Sequence, residues 1–458
     1  MSNGTSEMEI IQERLRPLLE AGRVEELAAL LLELELHPSD VADLLEALDD
    51  TESQAALLRS LPAELASDAL AEMEEGDDRA DLLGALEPHK TAELLNELPD
   101  DDAADLIGDL EPLDAARILA ALPLEDAADL RGLLQYDEET AGGLMTTELV
   151  AVRAEMTAGE AVDEVRRQGR EVEDFYVIFV VDEQRVLQGT VPLGELILAD
   201  TESLVSDLVQ EVPVTLTADV DQEEVGRLLS RYNLVSVPVV GLRGELLGRI
   251  TFDDVIDVIE AEQTEDILRL AGVSDEEEVR GDWWESVQSR LPWLFVNLLT
   301  ASAAASVVFI FGNTVEEVWY LAAIMPIIAG MGGNSGTQAL AVTVRRIALS
   351  DGPLERKSDA VAKELLVGLV NGIALGLLAA AAAWGAAEWF SLDPQLPFVV
   401  LFALWGNIVV AGFAGAFIPT VLHRFGVDPA VASSVFVTTL TDLFGFSLLL
   451  GLGSVFLL

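Results

Sequence analysis

Between residues 86 and 133 apolar and polar positions recur every 12 residues, as LEPHKTAELLNE, LPDDDAADLIGD, LEPLDAARILAA and LPLEDAADLRGL. The prolines reveal a longer unit: Pro88 and Pro112 are 24 apart, as are Pro99 and Pro123, and Pro38 and Pro62. Each unit therefore predicts a pair of short helices. Pro sits near the first helical position, where its missing N–H costs nothing, and Asp or Glu follows in the first turn, where the helix dipole favours anions. Such pairs bury their apolar faces only against neighbours, so they are expected to stack into an α-helical repeat (solenoid) over about 10 to 135. The run Asp137-Glu138-Glu139 closes it, within an acidic domain of residues 1–140.

From Met145 the pattern turns β-rich and comes in two matching halves. FYVIFVV (175–181), a turn, RVLQGTV (185–191) and a helix opening at Pro192 are echoed by VSVPVV (235–240), a turn at Gly241–Gly244, ELLGRIT (245–251) and a helix opening at Asp253. Strand, turn, strand, helix, twice over, resembles an α/β tandem CBS pair, divided here as 141–201 and 202–268. Gly248-Arg249-Ile250-Thr251-Phe252-Asp253-Asp254 is similar to the stretch that contacts adenosine ribose in nucleotide-binding CBS modules, which makes Thr251 and Asp254 candidate ATP contacts. The same stretch reads equally as a strand followed by a helix cap.

A connecting helix expected over about 276 to 291, within a segment assigned to 269–291, leads into five long apolar stretches at about 293–312, 319–344, 364–387, 398–422 and 430–457. Each is near the ~20 residues that cross a hydrocarbon core. Residues 292–458 thus predict a five-helix, all-α transmembrane domain. Arg290, the group Arg345, Arg346, Arg356, Lys357 and Lys363, and Arg424 fall in alternate connectors, which places the N-terminus inside and the C-terminus outside. All seven Trp lie at or after position 283, and Trp283, Trp284, Trp293, Trp319, Trp384 and Trp389 fall near expected helix ends, where an indole sits at headgroup level.

Composition sharpens this division. The 458 residues carry 81 Asp+Glu against 26 Lys+Arg, a formal charge of -55, although 51% of them are hydrophobic. Residues 1–290 hold 71 acids and 20 bases, whereas 291–458 hold 10 and 6. A surface so acidic repels phosphate backbones and excludes a nucleic-acid partner. The absence of Cys excludes thiolate metal sites and Cys nucleophiles. The acidic, polar start MSNGTSEMEI lacks the basic and apolar regions of a signal peptide, so the acidic part is expected to stay where it was made, on the cytoplasmic side of the cell (inner) membrane.

Polar groups inside the apolar stretches come next: Asn297, Asn334, Asn371, Asn407 and Asp442. The asparagines serve either interhelical hydrogen bonding or a water-filled path. Asp442 stands mid-span with no Lys or Arg in the five cores to neutralise it, so it is a functional candidate. One carboxylate per chain is a sparse site for a divalent cation, and a two-fold homodimer would supply two. His37, His89 and His423 all lie outside the span cores, so ligation by oxygen alone favours Mg, Ca or Mn. Mg sheds water reluctantly and suits a sparse ring of carboxylate and amide groups that grips a hydrated ion. In MPIIAGMGGNSGTQ (325–338), Pro326 with Gly330, Gly332, Gly333 and Gly336 is expected to break or loosen its helix and free carbonyls toward a cavity, close helix packing on small residues being the alternative.

The order of parts, with AGGLMT at 141–146, P-x(5)-GGNSGTQ, GVDPA at 426–430 and TDLFG at 441–445, resembles the MgtE family of magnesium channels over essentially the whole chain. The resemblance implies that Asp442 holds hydrated Mg2+ on a dimer axis with Asn334 beside it. It also implies regulatory Mg2+ sites at Asp101, Asp105, Asp254, Asp257, Glu262, Glu265 and Asp266. Asn233 departs from the family, which is expected to carry Asp there, and a neutral amide would weaken one regulatory site. A Mg2+-selective, Mg2+-gated channel is the function implied. The rivals are a transporter of other hard divalent cations (Ca, Mn, Co) and a membrane-anchored, nucleotide-sensing CBS protein. An enzyme is disfavoured, because no nucleophile, base and orienting group converge in any segment.

Overall fold

The computed structural model describes residues 15, 17–18, 23–48, 50–73, 76–170, 172, 175–273, 283–348, 357–431 and 434–458. The chain divides into two compact units, Met1–Glu260 and Ala261–Leu458.

The first unit begins with short helices: α1 (Val24–Leu34), α2 (Pro38–Glu46), α3 (Thr51–Ser60), α4 (Ala63–Ala71), α5 (Asp77–Ala85), α6 (Pro88–Leu95), α7 (Asp100–Gly108), α8 (Pro112–Leu119) and α9 (Asp126–Leu133). Pro38, Pro88 and Pro112 open their helices at the first turn, while Pro62 and Pro99 stand one position earlier, as N-caps. Helices pack on those two places along: α1 on α3, α2 on α4, α3 on α5, α4 on α6, α6 on α8 and α7 on α9. That is solenoid stacking, in which Leu31, Leu45, Leu57, Leu70, Leu82, Leu94 and Leu106 are shielded completely or almost so.

Two α/β halves follow. The first has β1 (Ala151–Arg153), α10 (Ala158–Gln168), β2 (Val177–Val181), β3 (Leu187–Pro192) and α11 (Leu193–Leu198), with β1 parallel and β3 antiparallel to β2. Thr157 and Glu160 form a reciprocal capping box at the start of α10, an arrangement worth about 1 kcal/mol. The second has α12 (Gln222–Tyr232) and the antiparallel pair β4 (Ser236–Val240) and β5 (Leu246–Thr251). A parallel bridge from Leu216 to Val239 stands where β1 pairs with β2 in the first half. The pairing slips at the same place in both hairpins, after Val180 and after Val239, so the internal repeat extends to its irregularities. AGGLMT threads between the solenoid and the second half: Ala141 N–H donates to the Val220 carbonyl, and Thr146 pairs with Arg249 on β5.

Helix α13 (Phe252–Ala271) leaves β5 directly. The second unit then contains α14 (Trp283–Ile310), the short α15 (Gly312–Glu317), α16 (Leu321–Ala348), α17 (Lys357–Phe390), α18 (Leu396–Arg424) and α19 (Ser434–Phe456). Four helices are long and apolar enough to cross a membrane, over Ser286–Ile310, Ala360–Phe390, Leu396–Arg424 and Ser434–Phe456. The fifth expected span coincides with α16, whose 28 residues reach ~42 Å. The polar and small residues of GMGGNSGTQ set it apart from the other four in apolarity. The connecting helix is continuous with the first span from Trp283 onward, Pro292 included, and its expected start at 276 lies outside the described residues.

The expected break in α16 is overturned. Pro326 sits within its first two turns, and the helix runs unbroken through Gly330, Gly332, Gly333 and Gly336. The glycines serve close packing instead. A methyl at Gly336 would come within 2.5 Å of Val437 Cγ1, and one at Gly415 within 2.5 Å of the Gly336 carbonyl. Contacts of Leu321 with Gly453, Ile328 with Gly445 and Gly336 with Val437 make α16 and α19 antiparallel. Contacts of Ile328 with Asn407 and Gly336 with Gly415 make α16 and α18 parallel.

Candidate functional site

The acidic run that opens α7 divides its labour. Asp100 is satisfied by protein donors: Thr146 Oγ1 donates to its Oδ1 at 2.5 Å, and Thr147 N–H at 3.0 Å. Asp101, one position on, is 8% exposed, and its Oδ1 has no hydrogen-bond partner among the described residues. Its carboxyl is pushed well above the usual range, first by burial and then by the charges of Asp254, Asp102 and Asp100. The next carboxyl, Asp102, is raised to about 7 by burial, by Asp254, Asp253 and Glu72, against a lowering pull from Arg79.

The opposing acids come from the turn between β5 and α13. Asp254 caps that helix, accepting from Thr251 Oγ1 at 2.5 Å, yet burial still raises its carboxyl, helped by Asp253 and Asp257. Asp257 is raised by burial, Glu72, Glu260 and Asp253. Solenoid and second α/β half thus face each other across Glu72, Asp101, Asp102, Asp253, Asp254 and Asp257. Two guanidiniums border them with prior engagements. Arg79 Nε donates to Asp109 at 2.7 Å, and Arg249 Nε donates to the Glu148 carbonyl at 2.9 Å.

Among the described residues no three or more His, Asp or Glu converge closely enough to hold a metal ion by themselves. What fits a hard cation is the chemistry of the donors: oxygen only, mutually repelling, with one buried oxygen unpartnered. Of the residues implied above, Asp101, Asp254 and Asp257 are brought together here, and Asp105 lies one turn along α7 from Asp101. Glu72, Asp102 and Asp253 were not singled out from sequence, although Asp102 belongs to the conspicuous run Asp100-Asp101-Asp102.

Glu262, Glu265 and Asp266 lie farther along α13, in the second unit. Arg269 pairs with Glu265 one turn away and donates to Asp428 Oδ2 at 2.6 Å. Burial and Asp428 raise the Asp266 carboxyl, while Arg345 and Arg269 lower it. The other oxygen of Asp428 accepts from Ala430 N–H at 2.8 Å, which orders the GVDPA loop. Leu270 packs beside Leu340, Val344, Ala430 and Val437, so the last turn of α13 is seated on the helices of this unit. The acids Asp275–Glu278 lie outside the described residues.

Asp442 is half-buried on α19, a largely apolar helix. One turn earlier, Thr438 meets Gly333 of α16, the residue before the exposed Asn334. Thr441 and Asn407 are fully buried beside them. In the first unit Asn233 ends α12 in the left-handed region (φ 50°), a conformation that Asn adopts more readily than most residues, so the amide has a local structural reason.

Three family models match along the chain. The model of the MgtE intracellular N domain matches residues 36–139, that of the CBS domain matches 141–202 and 205–261, and that of the MgtE divalent cation transporter matches 325–452. The magnesium transporter MgtE of Enterococcus faecalis is 37% identical over 327 residues, covering 71% of each chain. That of Thermus thermophilus is 38% identical over 323 residues, covering 68% of this chain and 69% of its own. The crystal structure of the cytosolic domain of the Mg2+ channel MgtE in complex with ATP is 36% identical, with a TM-score of 0.50, and covers 53% of this chain and 98% of its own. An intracellular N domain followed by membrane-length apolar helices makes this a multi-pass membrane protein with a cytoplasmic N-terminus. The chain belongs to the MgtE family of divalent cation transporters.

Proposed function

We propose that this chain forms a homodimeric, Mg2+-selective channel in the cell (inner) membrane, gated by cytosolic Mg2+. The observation that carries it is the position of Asp442: a half-buried carboxylate midway along an apolar helix, at the junction with the glycine-lined face of α16. Two such carboxylates on a dimer axis, with Asn334 beside them, would attract a hydrated divalent ion without stripping it. Their sparse oxygen ligands favour Mg2+ over Ca2+, Mn2+ or Co2+. Helix α16 is taken as the fifth crossing, because it packs parallel to α18 and antiparallel to α19, as the second helix of five alternating spans should. An odd number of crossings puts the C-terminus outside.

Gating rests on the acidic face between solenoid and α/β pair. Two carboxylates ~4 Å apart repel by about 4 kcal/mol at an effective dielectric of 20. When cytosolic Mg2+ is scarce, Asp101, Asp102, Asp254 and Asp257 should drive the halves apart. When it is plentiful, they draw together and the connecting helices close the pore, with Asp105, Glu262, Glu265 and Asp266 as further contributors. Moving such a gate from 1:99 to 99:1 needs ~5.5 kcal/mol of differential binding, or about 1.4 at each of four sites. ATP is a further ligand proposed at Thr251 and Asp254, supported by the nucleotide bound to the related cytosolic domain. Transport, not catalysis, is the activity proposed.

The test is purified protein in liposomes. Mg2+ uptake should occur with wild type, should be suppressed by internal Mg2+, and should vanish in Asp442→Ala. Uptake that survives in the mutant would remove Asp442 from the pore. Unchanged inhibition by internal Mg2+ after joint neutralisation of Asp254, Asp257 and Glu265 would remove the gate.

A further inference from the structure

Asn407, in the first half of α18, is fully buried, and its amide reaches two other helices. Its Nδ2 donates to the Ile328 carbonyl of α16 at 2.9 Å. A methyl at Gly332 of α16 would come within 2.2 Å of that nitrogen, and a methyl at Gly445 of α19 within 2.7 Å. The amide therefore fills a slot that two residues without Cβ leave open. One belongs to GGNSGTQ and the other to TDLFG.

As a packing element this is a poor choice. The Oδ1 is buried without a hydrogen-bond partner among the described residues, a desolvation cost that a leucine of similar volume would not carry. What the amide does, and leucine would not, is fix register. It ties α18 to a particular carbonyl of α16 while excluding any closer approach of α19. The two segments it locates are functional ones: Gly332 lies two residues before Asn334, and Gly445 three residues after Asp442.

We propose that Asn407 is a positioning residue for ion selection. It sets the spacing between the Asn334 segment of α16 and the Asp442 segment of α19, and so the geometry in which a hydrated divalent cation is preferred to a monovalent one. This rests on the transport activity proposed above, which its test must separate from the clamp itself.

Two measurements on the full-length protein do so. In liposomes, Asn407→Ala should lower the ratio of Mg2+ to Na+ flux by about three- to tenfold, the factor carried by one interhelical hydrogen bond in a membrane. A ratio does not depend on how much protein folds, so a merely structural role would leave it at the wild-type value, and that outcome would overturn the proposal. In detergent, Gly332→Ala should lower the thermal unfolding midpoint. Adding Asn407→Ala should recover part of that loss, because the clashing nitrogen is gone. Strictly additive losses would show that the amide does not occupy the glycine slot and would equally overturn it. Wild-type liposomes without Mg2+ uptake would refute the transport activity, while the detergent cycle would still decide the clamp.

Discussion

The two acid-rich regions of this protein solve the same electrostatic problem differently. Between the solenoid and the second α/β half, burial and the crowding of acids that include Glu72 and Asp253 raise the proton affinity of Asp101, Asp102, Asp254 and Asp257, and the neighbouring Arg79 and Arg249 are also engaged by Asp109 and the Glu148 carbonyl. At the end of α13, Glu265, Asp266 and Asp428 are met by Arg269 and Arg345 from the same unit. The second region sets two guanidiniums against three acids, whereas in the first Arg79 and Arg249 face six. A face short of counter-charge is sensitive to whatever cation the solvent supplies, and a self-paired one is much less so. On the gating proposed above, the first region is therefore the one expected to respond to Mg2+, whereas the second seats the last turn of α13 on the helices of its own unit.

The strongest challenge to that distinction is to neutralise the first region. Without Mg2+, the triple variant Asp101→Asn, Asp102→Asn, Asp254→Asn should be more stable than wild type by on the order of 5 kcal/mol, since uncompensated buried charge costs about that much. Added Mg2+ should stabilise wild type and not the variant. Thermal unfolding of the full-length protein in detergent measures both. Asn keeps the size of Asp, and at position 254 it can still cap α13, so a loss of stability would contradict the crowded-charge account.

Protons should imitate the triple substitution. Asp102 rises from an ordinary 3.8 to about 7 on folding, because burial and the neighbouring acids disfavour its charge. A raised carboxyl contributes stability that is complete below about pH 4 and lost as pH climbs through about 7, on the order of 4 kcal/mol for a shift of this size. Asp101 and Asp254 act in the same direction. Unfolding midpoints measured from pH 5 to 8.5 should therefore fall with pH in Mg2+-free buffer and flatten when Mg2+ is present. An equal slope in both buffers would sever the link between the cluster and the cation.

Much of this architecture was legible in the chain. The 24-residue proline spacing foretold paired helices, because Pro has few places to stand in a helix, and the structure puts Pro38, Pro88 and Pro112 at first-turn positions. The duplicated strand–turn–strand–helix pattern was equally plain. The fate of Pro326 was not. Composition cannot tell a glycine that unwinds a helix from one that admits a neighbour, and Gly332 and Gly336 prove to admit Asn407 and Val437. Partnership was hidden for the same reason. Asp102 gains Asp253 and Asp254, and Asp428 gains Asp266 and Arg269, from segments more than 75 residues away in sequence, which no local pattern reports.

A smaller effect would convert the second region into a copy of the first. Arg269→Gln removes the guanidinium from Glu265 and Asp428, and should cost about 1 to 2 kcal/mol, the range for hydrogen bonds to charged groups. More telling is the sign of the metal response. With its counter-charge gone, this region should acquire a Mg2+-dependent stabilisation that the wild-type region lacks. The background for that measurement is the Asp101, Asp102, Asp254 variant, in which the first region is silent. No added Mg2+ response in the combined variant would mean that Arg269 serves packing more than charge balance.

The smallest effect should come from Asn233→Asp, the position at which this chain departs from the acid expected of its family. Asn233 is exposed and closes α12 at φ 50°, where Asp is tolerated nearly as well as Asn, so stability should change by no more than about 0.5 kcal/mol. The added charge stands in water, where even at ~8 Å its attraction to a cation is only a few tenths of a kcal/mol after screening. The Mg2+ concentration for half-maximal inhibition of uptake should then fall by about twofold or less. A shift of tenfold would show that a cation reaches this exposed turn directly, and that sensing does not need the burial that sets the first region apart.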